Sequence, residues 1–267
     1  MKALWPDGYH ALFFQTNWNS LGSSVIQLIQ EIFEQLTILP TWGTTNLVLI
    51  SKVAHPKSII QFRRSNLCNT LYKLLSRIIV QRFKPYIVEV INPYQAGFML
   101  GRRTRDNIIL VQEVIRTLKS RLDRNGNVAI KLDLEKVYDQ LKWSFIKETL
   151  EFFQLPPTFI ALIMNMISST QFHILWNETP LLEVVPIRGV RLGDPLSPYL
   201  FILCLEGLSI KLEEDIQARL LHFINFRNKV CLSHLFFAND IFLFTKTKAR
   251  DCKNLHKILH HFCGSFG

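Results

Sequence analysis

Two aspartates stand where a hydrophobic pattern does not want them. Asp133 ends the apolar run NVAIKLDL, in which Val128, Ile130 and Leu132 alternate, and Asp240 sits in the tight connection between VCLSHLFF and IFLFT. A carboxylate at either place is costly unless it is paired, exposed or metal-bound. If the two strands are neighbours, both acids converge on one rim of a sheet. Mg²⁺ binds through one or two carboxylates plus substrate phosphates. Two such ions about 3.5–4 Å apart can hold the attacking and leaving oxygens of a phosphoryl transfer. Humbler roles fit as well: Asp133 could cap the helix that follows, and Asp240 could be a turn residue. Spacing alone leaves these alternatives open.

A second set of metal-capable side chains lies near the C-terminus. Cys252, His256, His260 and Cys263 recur at intervals of four, four and three, so they share a helix face. A straight helix cannot wrap four ligands tetrahedrally round one ion, and a half-buried face with a basic edge is the better reading. The five cysteines, Cys68, Cys204, Cys231, Cys252 and Cys263, are odd in number and contain no C-x-x-C pair. They read as reduced thiols of an intracellular protein, nuclear or cytoplasmic.

The elements that must position the acids follow from periodicity. Ser20 to Leu39 carries Val25, Leu28, Ile29, Ile32, Phe33 and Leu36 at helical spacing, with Pro40 as the stop. TTNLVLISKV reads as a strand and SNLCNTLYKLLSRIIVQRFKPYI as an amphipathic helix ending near Pro85. Helices are expected from Thr104 to Leu122, from Lys136 to Phe153, from Thr158 to Ser168, from Pro198 to Gln217 and from Ala249 to about Phe262. QFHILWN and LLEVVPI form a hairpin about the turn at Glu178 to Pro180. Strands that arrive singly and in hairpins between long helices make the fold class α+β rather than a regular doubly wound sheet.

The 267 residues carry a formal charge of +10 and are 48% hydrophobic, enough for a real core. Residues 41–125 hold 15 Lys and Arg against 4 Asp and Glu, while the rest of the chain holds 16 against 17. A basic block interleaved with apolar residues suits a polyanion, nucleic acid ahead of membrane. No secretory signal opens the sequence, and no apolar run is long enough for a membrane span.

Five segments in order, LVLISKV…QFRRSNLCNTLYK, YQAGFMLGRRTRDNI, IKLDLEKVYD, RGVRLGDPLSPYLF and HLFFANDIFLF, resemble the successive blocks of the reverse transcriptase of LINE-type (non-LTR) retrotransposons, particularly those of plants. The resemblance implies a right-hand polymerase: a helical lead-in over 1–40, basic fingers over 41–125 and a palm over 126–267, cut before the thumb. It implies RNA-directed DNA polymerase activity with Mg²⁺ or Mn²⁺, an RNA template, a DNA primer and deoxynucleoside triphosphates. Carried over residue by residue, it assigns metal to Asp133, the Leu134 backbone and Asp240, and catalysis to Asp133 and the Asn239-Asp240 pair. It places Tyr138 at the nucleotide sugar and Arg188, Gly189, Arg191, Gly193 and Asp194 at template and incoming nucleotide. Lys52, Arg63 and Arg102 become the finger cations that meet phosphates.

The sequence departs from the family at one decisive place. Where two adjacent aspartates normally follow Phe-Ala, this chain has Asn239-Asp240, and an amide offers a cation one neutral oxygen and no charge. Leu192 replaces the Gln of RQGDPLSP, and Arg64 and Asn66 interrupt FRPISLCN. The resemblance therefore implies a copy that has lost most of its activity. The alternative is a non-catalytic nucleic-acid-binding remnant or a pseudogene product.

Overall fold

The computed structural model describes residues 6–99, 101–102, 104–120, 126–134, 136–176, 179–222, 224–225 and 231–267. The side chains of Thr104, Asp106, Ser120, Asn225 and Cys231 also lie outside the description, as do Glu178 of the expected turn and 121–125, where the expected helix would have ended. Among the described residues no helix is long and apolar enough to cross a membrane.

Two compact units divide the chain, each assembled from two separate stretches. The first comprises residues 1–83 and 150–197. Helices α1 (Ala11–Thr16), α2 (Trp18–Gln35) and α3 (Pro40–Gly43) lead into strand β1 (Thr44–Ser51). A 3₁₀ turn (Ile59–Gln61) and strand β2 (Phe62–Cys68) follow, then helix α4 (Thr70–Val90), most of which belongs here. Helix α8 (Pro157–Ser168) and the antiparallel hairpin β4 (Gln171–Trp176) and β5 (Thr179–Val184) complete the unit. The sheet runs β2-β1-β4-β5, with β1 antiparallel to β2 and parallel to β4.

Three expectations in this unit change. Pro40 does not simply stop α2: Leu36 closes it in the left-handed region at φ 57°, and Pro40 opens α3 at a first-turn position, where its missing N–H costs nothing. SNLC is the end of the strand FRRSNLC and not the start of the helix. The helix begins at Thr70, where the Asn69 side chain accepts hydrogen bonds from the Leu71 and Tyr72 N–H groups at 2.8 and 3.3 Å. Pro85 lies inside α4, which runs on to Val90. Burial of Ile87 on the far side of the proline offsets the one helical hydrogen bond that it removes.

The second unit comprises residues 84–149 and 198–267. Its elements are helix α5 (Thr104–Ser120), strand β3 (Asn127–Asp133), helices α6 (Val137–Gln140), α7 (Trp143–Phe152) and α9 (Ser197–Gln217), and the short pair β6 (Ile224–Asn225) and β7 (Cys231–Leu232). Strands β8 (His234–Phe237) and β9 (Asp240–Lys246) and helix α10 (Ala249–Phe266) close it. The helix expected over Lys136 to Phe153 is broken into α6 and α7 at Leu141 and Lys142. The main sheet has the order β3-β9-β8, all antiparallel. One face of it packs Leu235 and Phe244 against Val114 of α5, and on the other Ile241 and Leu243 are buried completely. The mixed α+β architecture is as expected.

Candidate functional site

Strand pairing brings the two aspartates together. The antiparallel register sets Asp133 directly opposite Asp240 and Lys131 opposite Phe242. Residues directly paired across an antiparallel ladder have Cα atoms about 4.5–5.5 Å apart and side chains on one face. The face therefore carries Lys131, Asp133, Asp240 and Phe242. The alternating residues Leu132, Ile241 and Leu243 point the other way, the last two into the core, which is why a strand so apolar can end on an acid.

The turn between β8 and β9 completes the group. Phe237 pairs with Asp240, so only Ala238 and Asn239 lie between the strands, and Ala238 takes φ 50°, as the first position of a tight hairpin turn demands. Asn239 Nδ2 donates to Asp133 Oδ1 at 3.1 Å, and the Leu134 N–H donates to the Asn239 carbonyl at 3.3 Å. Asp133, Leu134, Asn239 and Asp240 thus meet at one end of the sheet.

Charge at this end is partly cancelled. Lys131 Nζ lies 2.9 Å from Asp240 Oδ1 and 5.8 Å from the centre of the Phe242 ring. The hydrogen bond and charge of Asp240, with a smaller contribution from Asp133, hold the lysine above the ordinary ammonium range. The oxygens that could meet a hard cation here are the second oxygens of Asp133 and Asp240 and the Asn239 amide oxygen. One oxygen of Asp240 is held by Lys131, and Asn239 brings no charge. Among the described residues no three His, Cys, Asp or Glu side chains cluster as a metal site. Cys252, His256, His260 and Cys263 lie exposed along α10, the two imidazole centres 6.1 Å apart.

The hairpin tip is propped from below by residues 94–97. Gln95 bridges Phe236, the Ala96 N–H donates to the Phe236 carbonyl at 3.0 Å, and the Phe236 N–H donates to the Tyr94 carbonyl at 2.9 Å. Gly97 lies against the Ala238 backbone so closely that any Cβ there would clash. Arg102, expected to face phosphates, is turned inward instead: Nη1 donates to the carbonyls of Asn92 and Gln95 at 2.5 and 2.7 Å, and Nη2 to that of Ile91 at 3.0 Å. It clamps the segment that supports the β8–β9 turn. The glycine and arginine of YQAGFMLGRR were the signal for this role. Tyr138, on α6, is half-buried with its ring 5.6 Å from that of Phe201, and burial raises its phenol above the usual range.

In the first unit the segment RGVRLGDPLSP splits into outer and inner residues. Arg188 and Gly193 are exposed, and Gly189 and Gly193 adopt φ 86° and 83°. Arg191 and Asp194, expected at the template, are only 2% and 3% exposed. The Arg191 guanidinium stacks 3.9 Å from the Tyr72 ring centre, with Nε donating to Thr170 Oγ1 at 2.8 Å. Asp194 accepts from the Ser76 hydroxyl, and burial raises its carboxyl although Ser76, Arg191 and the Leu196 N–H pull it down. Both side chains fasten the segment to α4. Lys52 and Arg63 are exposed, on the loop and strand beyond β1, and Lys52 Nζ also donates to the Ile60 carbonyl at 3.2 Å.

The sequence matches the reverse transcriptase (RNA-dependent DNA polymerase) family over residues 55–267. The chain belongs to that family. It is 27% identical over 257 residues to a 149 kDa protein of transposon TX1 from Xenopus laevis, covering 94% of this chain and 19% of that protein. It is 29% identical over 201 residues to the Pol polyprotein of the type-2 retrotransposable element R2DM from Drosophila melanogaster, covering 75% of this chain and 18% of the polyprotein. The reverse transcriptase segment of non-LTR elements is thus the family branch. The chain spans about a fifth of the length of these relatives. An uncharacterized mitochondrial protein of Arabidopsis thaliana is 46% identical over 74 residues, 26% of this chain and 59% of that one. The fold is shared with telomerase from Candida albicans, solved with a fragment of telomeric RNA, at a TM-score of 0.56 and 13% identity over 82% of this chain and 40% of that one.

Proposed function

We propose that this reverse transcriptase segment comes from a plant LINE-type element and serves RNA-directed DNA synthesis in its family, while this copy has lost most of its nucleotidyl transfer. The observation that carries the reading is the Asn239–Asp133 hydrogen bond, at a place where the resemblance expects a second carboxylate. Asp133, with the Leu134 carbonyl and the Asn239 amide oxygen beside it, would hold one Mg²⁺ or Mn²⁺. Such an ion supplies positive charge to phosphate oxygens. The second ion lacks its carboxylate, and Lys131 competes for Asp240.

Residues 41–125 act as fingers and 126–267 as palm, with 1–40 as a lead-in. RNA template, DNA primer and deoxynucleoside triphosphates are the partners, inside the cell. Lys52, Arg63 and Arg188 contribute exposed cations to phosphates, and Tyr138 borders the sugar. Arg102, Arg191 and Asp194 act by positioning, since each is turned into the protein and bonded to it.

Primer extension on an RNA template with Mg²⁺ or Mn²⁺, comparing the chain with Asn239→Asp, tests the proposal. The expected result is a gain of at least about a hundredfold in the variant, the scale of losing charge stabilisation at a transferring phosphoryl group. Robust synthesis by the unchanged chain would overturn the claim of lost activity. No synthesis by either, with salt-dependent RNA binding retained, would favour a binding remnant instead.

A further inference from the structure

The tip of the β1–β2 hairpin presents its most apolar residues to solvent. Ile59 and Ile60 are 75% and 79% exposed, and Val53 is 45% exposed beside them. Such exposure on a loose loop would mean little, but this loop is built. Ser58 and Gln61 form a reciprocal capping box round the 3₁₀ turn. The Gln61 side chain also accepts from the Lys57 N–H at 2.5 Å, and its carbonyl accepts from the Lys52 N–H at 2.8 Å. Lys52 Nζ reaches across to the Ile60 carbonyl at 3.2 Å. The two isoleucines are therefore held outward.

The charge around them has one sign. Lys52, Lys57, Arg63 and Arg64 are all exposed, and the sequence contains no Asp or Glu between Glu34 and Glu89. An apolar tip ringed by cations matches what a stacked, phosphate-flanked base step offers: an apolar interior between two anionic strands. Proteins that open base steps insert Ile, Leu, Phe, Met or Pro side chains while Arg and Lys hold the backbone.

We propose that Ile59 and Ile60 form a wedge that lodges against the terminal base step where a single-stranded nucleic acid enters a duplex, with Lys52, Lys57 and Arg63 gripping the flanking phosphates. The proposal rests on the reading of this chain as a nucleic-acid enzyme, and it names the duplex junction as the preferred ligand. It requires no metal and no turnover.

An RNA hairpin with a single-stranded tail and 2-aminopurine at the junction step reports the wedge directly. The chain should raise the fluorescence several-fold and bind the junction roughly tenfold more tightly than single-stranded RNA of equal length. Ile59→Ser with Ile60→Ser, both at exposed positions, should abolish the rise and the preference, while the salt dependence of binding stays the same because the cations remain. Fluorescence that rises equally with the double variant, or a chain that binds RNA without disturbing the junction, would overturn the wedge and leave the family function intact. A chain that binds no nucleic acid at low salt would overturn both. Binding to vesicles with anionic headgroups that the double variant loses, without any junction effect, would assign the tip to a membrane surface and overturn the proposal.

Discussion

Replacing Asn239 by Asp has a cost that can be worked out from the site before any catalysis is measured. The variant exchanges a 3.1 Å amide-to-carboxylate hydrogen bond for two like charges at similar separation. Losing the bond costs about 0.5–1.5 kcal/mol. Repulsion at about 4 Å adds about 1 kcal/mol in water and about 4 at an effective dielectric of 20. Asp133 is exposed, so the total falls near the lower end, about 2–3 kcal/mol. For a chain of this size that is a fall in Tm of roughly 4–10 °C in EDTA. A divalent cation should return part of it. With a Kd of about 1 mM, 10 mM Mg²⁺ returns about 1.4 kcal/mol by mass action. Differential scanning fluorimetry of the two chains, with EDTA and across a Mg²⁺ titration, reads both effects. The parent, with Lys131 on Asp240 and an uncharged amide at position 239, should hold its ion more weakly and respond less than the variant. If Asn239→Asp were as stable as the parent without metal, or if Mg²⁺ stabilised both alike, the close approach of residues 133 and 239 would be wrong and the proposed loss of activity would lose its basis.

Two further predictions concern buried polar groups. Glu206 is 3% exposed with one carboxylate oxygen unpartnered, and burial first, then Glu213, push its carboxyl up to about 7 against the partial relief of Asn92, Ser209 and Arg102. Because the folded value lies above the unfolded one, the native state binds the extra proton between pH 4.5 and 7, so stability falls as pH rises through that window. Glu206→Gln should flatten the fall, matching the parent near pH 4 and exceeding it by about 3 kcal/mol at pH 8 in urea unfolding; parallel curves would refute the assignment. Arg191→Met should destabilise the chain by about 2–4 kcal/mol, whereas Arg188→Met, on the exposed side of the same segment, should cost less than about 0.5. Equal effects in urea unfolding would contradict the division between buried and exposed arginines.

Periodicity made the elements of the site legible and left their company hidden. Alternation from Val128 to Leu132 announces β3, and two apolar runs with a short gap announce the β8–β9 hairpin. That β9 lies between β3 and β8, with Asp133 opposite Asp240, is fixed by burial of Ile241 and Leu243, which no local pattern reveals. The same limit governs the cations. Arg188 and Arg191 are three residues apart in one motif, yet only the second meets Tyr72, which lies 119 positions earlier in the chain. Arg102 likewise reads as one more basic residue until the carbonyls of Ile91, Asn92 and Gln95 converge on it. β2 was missed because Phe62 to Cys68 does not alternate cleanly, although Asn69 marks the true start of α4 as a capping residue.

The inward placement of these arginines bears on what the motifs of this chain mean. A motif arginine can persist because it touches a phosphate or because removing it would orphan buried partners, and the two demands act independently. Arg102 and Arg191 meet the second kind: their loss would strand carbonyls or a buried carboxyl, a penalty that falls on folding whether or not the enzyme turns over. Asn239 meets neither, since it lies at an open turn where an amide still reaches Asp133. On the proposed reading, a chain released from the requirement to polymerise keeps its inner arginines and loses charge at the tip first.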